Sequence, residues 1–267
     1  MRKKANIGKR IQVALEFVKK YAKENPKVTG AILVGSTNIG ISDNYADLDI
    51  IIIATPEAVS ERKAEGKGYN ETYAYRGVEI CIDWHSLREL QSELNNWQND
   101  VSLWSLSQAK VLLDEQGEIK RLLESIKPYP NEIRRKKLFL HFYWLSYYLD
   151  IIETSIRRSE YETAIFHIYS FVKEFSEILF LIENKFIPIE RWRFHEMKKL
   201  DSGKKMLPKL RKIMCIAELN SQELQDKLTI LKSMRQKLKL YLLAAGIEEE
   251  KIGSDWWKFE PDWSVTK

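Results

Sequence analysis

Two aspartates, Asp47 and Asp49, lie two residues apart at the start of an apolar run that continues to Ala54. Because side chains alternate along a strand, both carboxylates are expected on the same face. Adjacent carboxylates repel each other unless a cation lies between them. Oxygen ligands of this kind suit Mg²⁺, so the spacing predicts a magnesium site.

A third carboxylate is expected from another predicted strand, residues 78–84. The apolar side chains of this strand point one way, so Glu79 and Asp83 must point the other way. Either of them can complete the metal site, and its position favours Glu79. A glutamate near a substrate hydroxyl can also remove its proton as a general base.

Gly35 and Ser36 follow an earlier apolar run and precede a predicted helix start. Glycine permits close approach of the backbone, and the serine hydroxyl lies beside free amide groups, so this turn can hold phosphate oxygens. Magnesium in the neighbouring site would neutralise charge on a departing pyrophosphate. The three features together predict nucleotidyl transfer.

The strands that must position these side chains belong to a first half with alternating helical and strand patterns. A helical period that stops at Asn25-Pro26 predicts a first helix. Short helices are predicted over residues 87–94 and after Gly117. Strands are predicted at residues 28–34, 48–54, 71–75, 78–84 and 110–113.

From Asn131 onward the sequence is helically periodic and almost free of glycine. Long helices are predicted at residues 138–156, 161–182, 204–219 and 221–245. We therefore expect an α+β fold, with a sheet and helices in residues 1–127 and an all-α bundle in residues 128–267. Four aromatic residues are expected in the bundle core, namely Tyr143, Trp144, Tyr147 and Tyr148.

The composition of the 267 residues indicates which kinds of protein can be excluded. A hydrophobic content of 44% excludes global disorder, and charges interrupt every apolar run before it could span a bilayer. No secretory signal pattern begins the chain, which predicts a cytoplasmic protein without a membrane partner. The net charge of +5 belongs to the second half, which has 25 basic and 20 acidic residues, without the dense basic stripe of a nucleic-acid partner.

The motif itself resembles a known family. Gly35-Ser36, ten intervening residues and Asp47-Leu48-Asp49 are similar to the signature of the DNA polymerase β-type nucleotidyltransferase superfamily. The strongest resemblance is to antibiotic nucleotidyltransferases, which join a catalytic domain to a C-terminal helical bundle. Their third carboxylate lies in a strand pattern similar to Val78-Glu79-Ile80-Cys81-Ile82. The resemblance implies a nucleotidyltransferase-type mixed sheet with helices in residues 1–127.

This resemblance implies an enzyme that uses Mg²⁺ and ATP, or another nucleoside triphosphate, to modify a hydroxyl of a small molecule such as an aminoglycoside or lincosamide. Asp47, Asp49 and Glu79 would be catalytic and hold the metal, and Gly35 and Ser36 would bind nucleotide. The segment 184–192 is similar to one that places a basic residue on the triphosphate, here Arg191, with Lys185 second. Ala46 departs from the family, which often has serine directly before the first aspartate.

Two other functions are compatible with the same residues. The acceptor can be a macromolecule, either a protein side chain or an RNA end. A catalytically silent nucleotide-binding module is the other alternative, although such a module would be free to lose carboxylates that repel each other. Monomer and homodimer are both left open.

Overall fold

The computed structural model of the chain describes residues 6–247. The chain divides into two compact units, Met1–Lys127 and Pro128–Lys267. The first unit combines a sheet with helices, and the second contains helices alone among its described residues. The predicted α+β fold is confirmed.

The described residues of the first unit, 6–127, contain five strands and six helices. Its helices are α1 (Ile7–Glu24), α2 (Gly35–Asn38), α3 (Pro56–Ala64), α4 (Leu87–Leu94), α5 (Asp100–Ser107) and α6 (Glu118–Glu124). Its strands are β1 (Val28–Leu33), β2 (Leu48–Ala54), β3 (Glu71–Tyr75), β4 (Val78–His85) and β5 (Lys110–Asp114). The sheet order is β3-β4-β2-β1-β5. The sheet is mixed because β2 and β4 are parallel, whereas the other neighbouring pairs are antiparallel.

The strand β2 lies at the centre of the sheet and has an apolar side chain at nearly every position, as a strand covered on both faces requires. Leu48, Ile50 and Ile52 belong to the core that includes α1 and α3. Ile51 and Ile53 pack in a second core with residues of α4, α5 and α6. By alternation, Asp49 shares the second face with Ile51. The central strand thus fixes the face on which the predicted metal ligands lie.

Helix α3 was not expected from the periodicity. Thr55 caps its N-terminus by accepting a hydrogen bond from the amide of Ala58, and Pro56 occupies the first turn. Thr-Pro-Glu is a recognisable helix start because proline tolerates the first turn and the threonine oxygen satisfies an otherwise unpaired amide. The signal was present at residues 55–57, although the apolar period after it is weak.

The second unit is built on two long helices, α7 (Asn131–Arg157) and α8 (Tyr161–Ile182), separated by a short turn. The remaining helices are α9 (Glu190–Glu196), α10 (Asp201–Met214) and α11 (Ser221–Ala244), with a 3-10 turn at Met197–Lys199. Helix α10 ends five residues earlier than predicted. There the buried Lys227 of α11 donates hydrogen bonds of 2.9 Å to the carbonyls of Lys212 and Cys215, which satisfies the helix end.

Within residues 6–247, no helix combines the length and the apolar character that crossing a bilayer requires.

Candidate functional site

The glycine turn and the second aspartate of the motif are in direct contact. Gly35 follows β1 with φ of +71°, and the amide of Val34 donates to the carbonyl of Asp49 over 2.9 Å. A Cβ atom added at Gly35 would lie 1.9 Å from Oδ2 of Asp49. The carboxylate thus occupies the space that any other side chain would fill, which gives a physical reason for glycine at this position.

Ser36 presents a buried hydroxyl beside this contact. The residue is only 5% exposed, and among residues 6–247 its Oγ atom has no hydrogen-bond partner. A buried hydroxyl without a partner is unfavourable, which makes the group available to an incoming oxygen. The donor therefore fits the predicted role in holding phosphate.

The parallel pairing of β2 with β4 separates the two candidates for the third carboxylate. Asp49 pairs with Cys81, so Glu79 lies at the level of Asp47, one step before the pairing begins. Asp83 instead pairs with Ile51, and its Oδ1 accepts a hydrogen bond of 2.6 Å from the amide of Asn70. This register favours Glu79, because Asp83 lies further along the strand and already has a backbone donor.

Cys81 lies between the two candidates on β4 and is sensitive to the surrounding charge. Burial raises the pKa of its thiol, and four nearby carboxylates raise that pKa further, to about 11. These carboxylates are Asp83, Asp49, Asp47 and Glu79. This end of the sheet is consequently an acidic surface, as a cation site requires.

The carboxylates are not drawn together as tightly as ligands of one ion. Within residues 6–247, three possible metal ligands all lie within 4.8 Å of one another at only one place, and its members are His141, Glu174 and Glu177. Asp47, Asp49 and Glu79 are more widely spaced. Their oxygen donors, their shared face and the close fit of Asp49 over Gly35 nonetheless suit a hard cation such as Mg²⁺.

Arg10 is a functional candidate of this region that sequence reasoning missed. It lies on α1 and is 7% exposed, yet its guanidinium donates to Oγ1 of Thr37 and to the carbonyls of Ala46 and Asp47. A signal was present, because Arg10 lies at helical spacing from Val13, Ala14 and Phe17 on the buried face of α1. An arginine on an apolar face needs buried partners.

The predicted triphosphate ligand Arg191 belongs to the second unit. It is exposed at the start of α9, where its guanidinium carbon lies 5.1 Å from the centre of the Trp192 ring. Lys185 is also exposed. The roles of both residues in nucleotide binding stay predictions.

The His141, Glu174 and Glu177 group is a buried ionic network. Nδ1 of His141 lies 2.7 Å from Glu174 and 2.9 Å from Glu177, while Nη1 of Arg193 lies 2.7 Å from Glu177. Burial alone lowers the pKa of His141, but the two carboxylates outweigh this and raise the pKa to about 9. The imidazole thus keeps its proton, and the proton and guanidinium already neutralise the carboxylates that a metal would need.

The four aromatic residues expected in the bundle core lie nearer the surface. Tyr147 is 42% exposed, and the other three are half-buried. Their rings form a contacting row along α7, with Tyr143 and Tyr147 stacked at 6.5 Å and Trp144 and Tyr148 stacked at 6.0 Å. That prediction was wrong because aromatic residues three and four apart can bury one another on a helix surface without entering the core.

Comparison with known proteins supports the fold and leaves the activity open. A family described as a domain of unknown function, DUF4037, matches residues 97–193. A nucleotidyltransferase-like protein from Exiguobacterium sibiricum 255-15 has a similar structure, with a TM-score of 0.51 and 15% sequence identity. The match covers 85% of this chain and 75% of that one. No curated protein matches the chain. The chain thus has a nucleotidyltransferase-like fold.

Proposed function

We propose that this protein is a magnesium-dependent nucleotidyltransferase, which transfers AMP from ATP to a hydroxyl group of a small molecule. The observation that carries the proposal is the contact between Gly35 and Asp49, where a Cβ atom would come within 1.9 Å of the carboxylate. Two parts of a sequence motif, separated by ten residues, meet at the ends of neighbouring strands. A chance glycine turn and a chance aspartate pair would have no reason to fit together in this way.

Each side chain has a role in the proposed reaction. Gly35 and Ser36 hold oxygens of the triphosphate, the first through its backbone and the second through its buried hydroxyl. Asp47, Asp49 and Glu79 hold Mg²⁺, which when bound supplies positive charge to the triphosphate. Glu79 also orients the acceptor hydroxyl and accepts its proton.

The bonding changes are those of a single displacement. The acceptor oxygen forms a bond to the α-phosphorus of ATP. The bond between that phosphorus and the oxygen that bridges the α- and β-phosphates breaks. Pyrophosphate leaves, and the hydroxyl proton moves to Glu79. The products are the adenylylated acceptor and pyrophosphate.

The proposed acceptor class is an antibiotic of the aminoglycoside or lincosamide type. It rests on the resemblance of the motif and of the sheet-then-helices order to antibiotic nucleotidyltransferases. The structural neighbour, called nucleotidyltransferase-like, is compatible with the reaction class without specifying an acceptor.

The direct test is pyrophosphate release by the purified full-length chain with ATP and Mg²⁺ against a panel of hydroxyl acceptors, including streptomycin, spectinomycin and a lincosamide. We expect at least one acceptor to raise release above the acceptor-free rate, and EDTA to abolish that increase. Folded protein that binds ATP but gives no release with any acceptor would contradict the proposed transferase activity.

Substitutions of three carboxylates on one face of the sheet test which of them act in the proposed reaction. Glu79→Gln removes the proposed base and should lower turnover by about 10²–10⁴-fold. Asp49→Asn should abolish most of the magnesium-dependent rate, whereas a silent binding module would lose only metal-dependent affinity. Asp83→Asn is the matched control, since Asp83 accepts from Asn70 and should retain turnover. A larger loss of turnover for Asp83→Asn than for Glu79→Gln would show that Asp83, and not Glu79, is the third carboxylate of the site.

A further inference from the structure

Arg10 is a buried cation near the N-terminus of α1. Its side chain belongs to the same face of α1 as Val13, Ala14 and Phe17, and the residue is 7% exposed. Burial lowers the pKa of its guanidinium, while the negative charges of Asp47 and Asp43 oppose that shift. A charge is taken out of water only where its hydrogen bonds and opposite charges compensate for the loss.

The guanidinium joins the two ends of one segment, residues 37–47. At the first end, Nε donates to Oγ1 of Thr37 over 3.2 Å. At the other end, Nη2 donates to the carbonyl of Asp47 over 3.0 Å and also to the carbonyl of Ala46. Thr37 directly follows Ser36, so the contacts link the phosphate turn to the first proposed metal ligand.

Only arginine can make this connection with one rigid group. The guanidinium is planar and holds its donors in a fixed fork, so the separation between Thr37 and Asp47 is set by the geometry of the group itself. A lysine ammonium is a single point of charge on a flexible stem and cannot hold both ends at a fixed separation.

We propose that Arg10 is a positioning residue, which fixes Asp47 relative to the Gly35-Ser36 turn so that metal and triphosphate can be bound together. The inference rests on the proposed function, since it concerns the same site. In this role Arg10 acts through the backbone carbonyls of Ala46 and Asp47 and the hydroxyl of Thr37.

The experiment compares Arg10→Lys with wild-type full-length protein by calorimetric titration with ATP, once in excess Mg²⁺ and once in EDTA. Misplacing Asp47 should lower the affinity for MgATP by about 10–100-fold, a range typical of lost supporting contacts around metal ligands. The affinity for ATP in EDTA should change much less. A merely structural loss would lower both affinities by the same factor.

Hydrogen exchange of the same proteins tests the contact itself. Amides of residues 37–47 should exchange faster in Arg10→Lys, whereas those of β2 and β4 should keep their protection. The matched control is Arg76→Lys, the same change at an exposed arginine between β3 and β4. Arg76 pairs with Glu16 of α1, the helix that carries Arg10, over 2.7 Å. Arg76→Lys should alter neither the exchange of this segment nor the magnesium-dependent affinity.

A second variant covers the case in which Arg10→Lys does not fold. Thr37→Val keeps the shape of the buried side chain and removes the oxygen that accepts from Arg10. It should also lower the affinity for MgATP, by a smaller factor than Arg10→Lys does.

The outcomes separate the inference from the proposed function. Folded variants that bind MgATP as tightly as wild type, or that lose affinity equally in EDTA, overturn the positioning role. Wild-type protein that binds no MgATP overturns the proposed function instead. The exchange of residues 37–47 then decides by itself whether Arg10 holds the segment.

Discussion

At the scale of single residues, Gly35 meets two separate requirements. Its φ of +71° lies in the left-handed region that other residues adopt only with strain, and its missing Cβ leaves room for Asp49. Gly77 has a similar φ of +75°, yet an added Cβ there would meet nothing within 4 Å. The two positions therefore distinguish backbone strain from displacement of the carboxylate.

We expect Gly77→Ala to lower the free energy of unfolding by about 1–2 kcal/mol, because it places alanine in the left-handed region. Gly35→Ala should lower it by more, because its Cβ also collides with the carboxylate of Asp49. Only Gly35→Ala should lose affinity for MgATP, since the carboxylate of Asp49 must move aside. Urea denaturation and calorimetric titration measure the two effects. Unchanged MgATP affinity in Gly35→Ala would show that the position of Asp49 over Gly35 has no part in binding.

The sequence identified the motif residues more readily than it identified Arg10. Gly35, Asp47 and Asp49 are close in the chain and have a recognisable spacing, so the spacing alone groups them. Arg10 lies 27 residues from Thr37 and 37 from Asp47 and makes no pattern with them. Its only signal was its place on an apolar helix face, which indicates buried partners without naming them.

At the scale of elements, α7 and α8 are joined by charge as well as by apolar packing. His141 of α7 bridges Glu174 and Glu177, which lie three residues apart on one face of α8. Arg193 of α9 adds a third element to the same network through Glu177. Removing one member would leave a buried charge without its partner, which is usually more destabilising than losing the whole pair.

The stability of the protein should accordingly depend on pH through this network. The pKa of His141 is raised from 6.5 to about 9, so its contribution is complete below pH 6.5 and is lost as pH rises through 9. Glu177 has a pKa lowered from 4.5, so its contribution is complete above pH 4.5 and is lost as pH falls below that value. Both contributions are complete between these limits.

Unfolding by urea at a series of pH values measures the effect. Wild type should lose up to about 3 kcal/mol between pH 6.5 and 9.5 from His141 alone. His141→Gln should be less stable at pH 6 and should show a much smaller decrease over the alkaline range. An equal alkaline decrease in wild type and variant would assign the dependence to other groups.

At the scale of the whole molecule, part of the basic surplus of the second half is paired with acidic side chains. Several lysines of residues 128–247 lie within 4 Å of carboxylates. Such pairs include Lys136–Glu132, Lys199–Glu196, Lys204–Asp201, Lys227–Glu223 and Lys232–Glu153. Paired charges attract phosphate less, so these pairs weaken the positive field that a nucleic-acid partner would use.

We therefore expect a fluorescently labelled single-stranded RNA of about 20 nucleotides to bind no more tightly than about 10⁻⁵ M at physiological salt, within the weak range of non-specific binding. Fluorescence anisotropy at about 50 and about 200 mM salt measures the affinity and its salt dependence. Tight binding that weakens steeply with salt, together with transfer of labelled AMP to the RNA, would favour the macromolecular acceptor.

The amino-acid sequence by itself determined most of the elements and suggested the reaction class. The isoleucine run predicted the central strand, alternation placed Asp47 and Asp49 on one face, and long helical periods predicted the second unit. These features depend on neighbours within a few residues, where backbone geometry fixes which side chains share a face.

Only the tertiary structure decided which distant residues meet. The β2–β4 register placed Glu79 at the level of Asp47, and the carboxylate of Asp83 accepts a hydrogen bond from Asn70. Packing of α1 brought Arg10 to both ends of residues 37–47. The tertiary structure also left Tyr147 at the surface and placed His141 between two buried glutamates. Register, burial and long-range hydrogen bonds arise from how elements pack, and no local pattern in the chain encodes them.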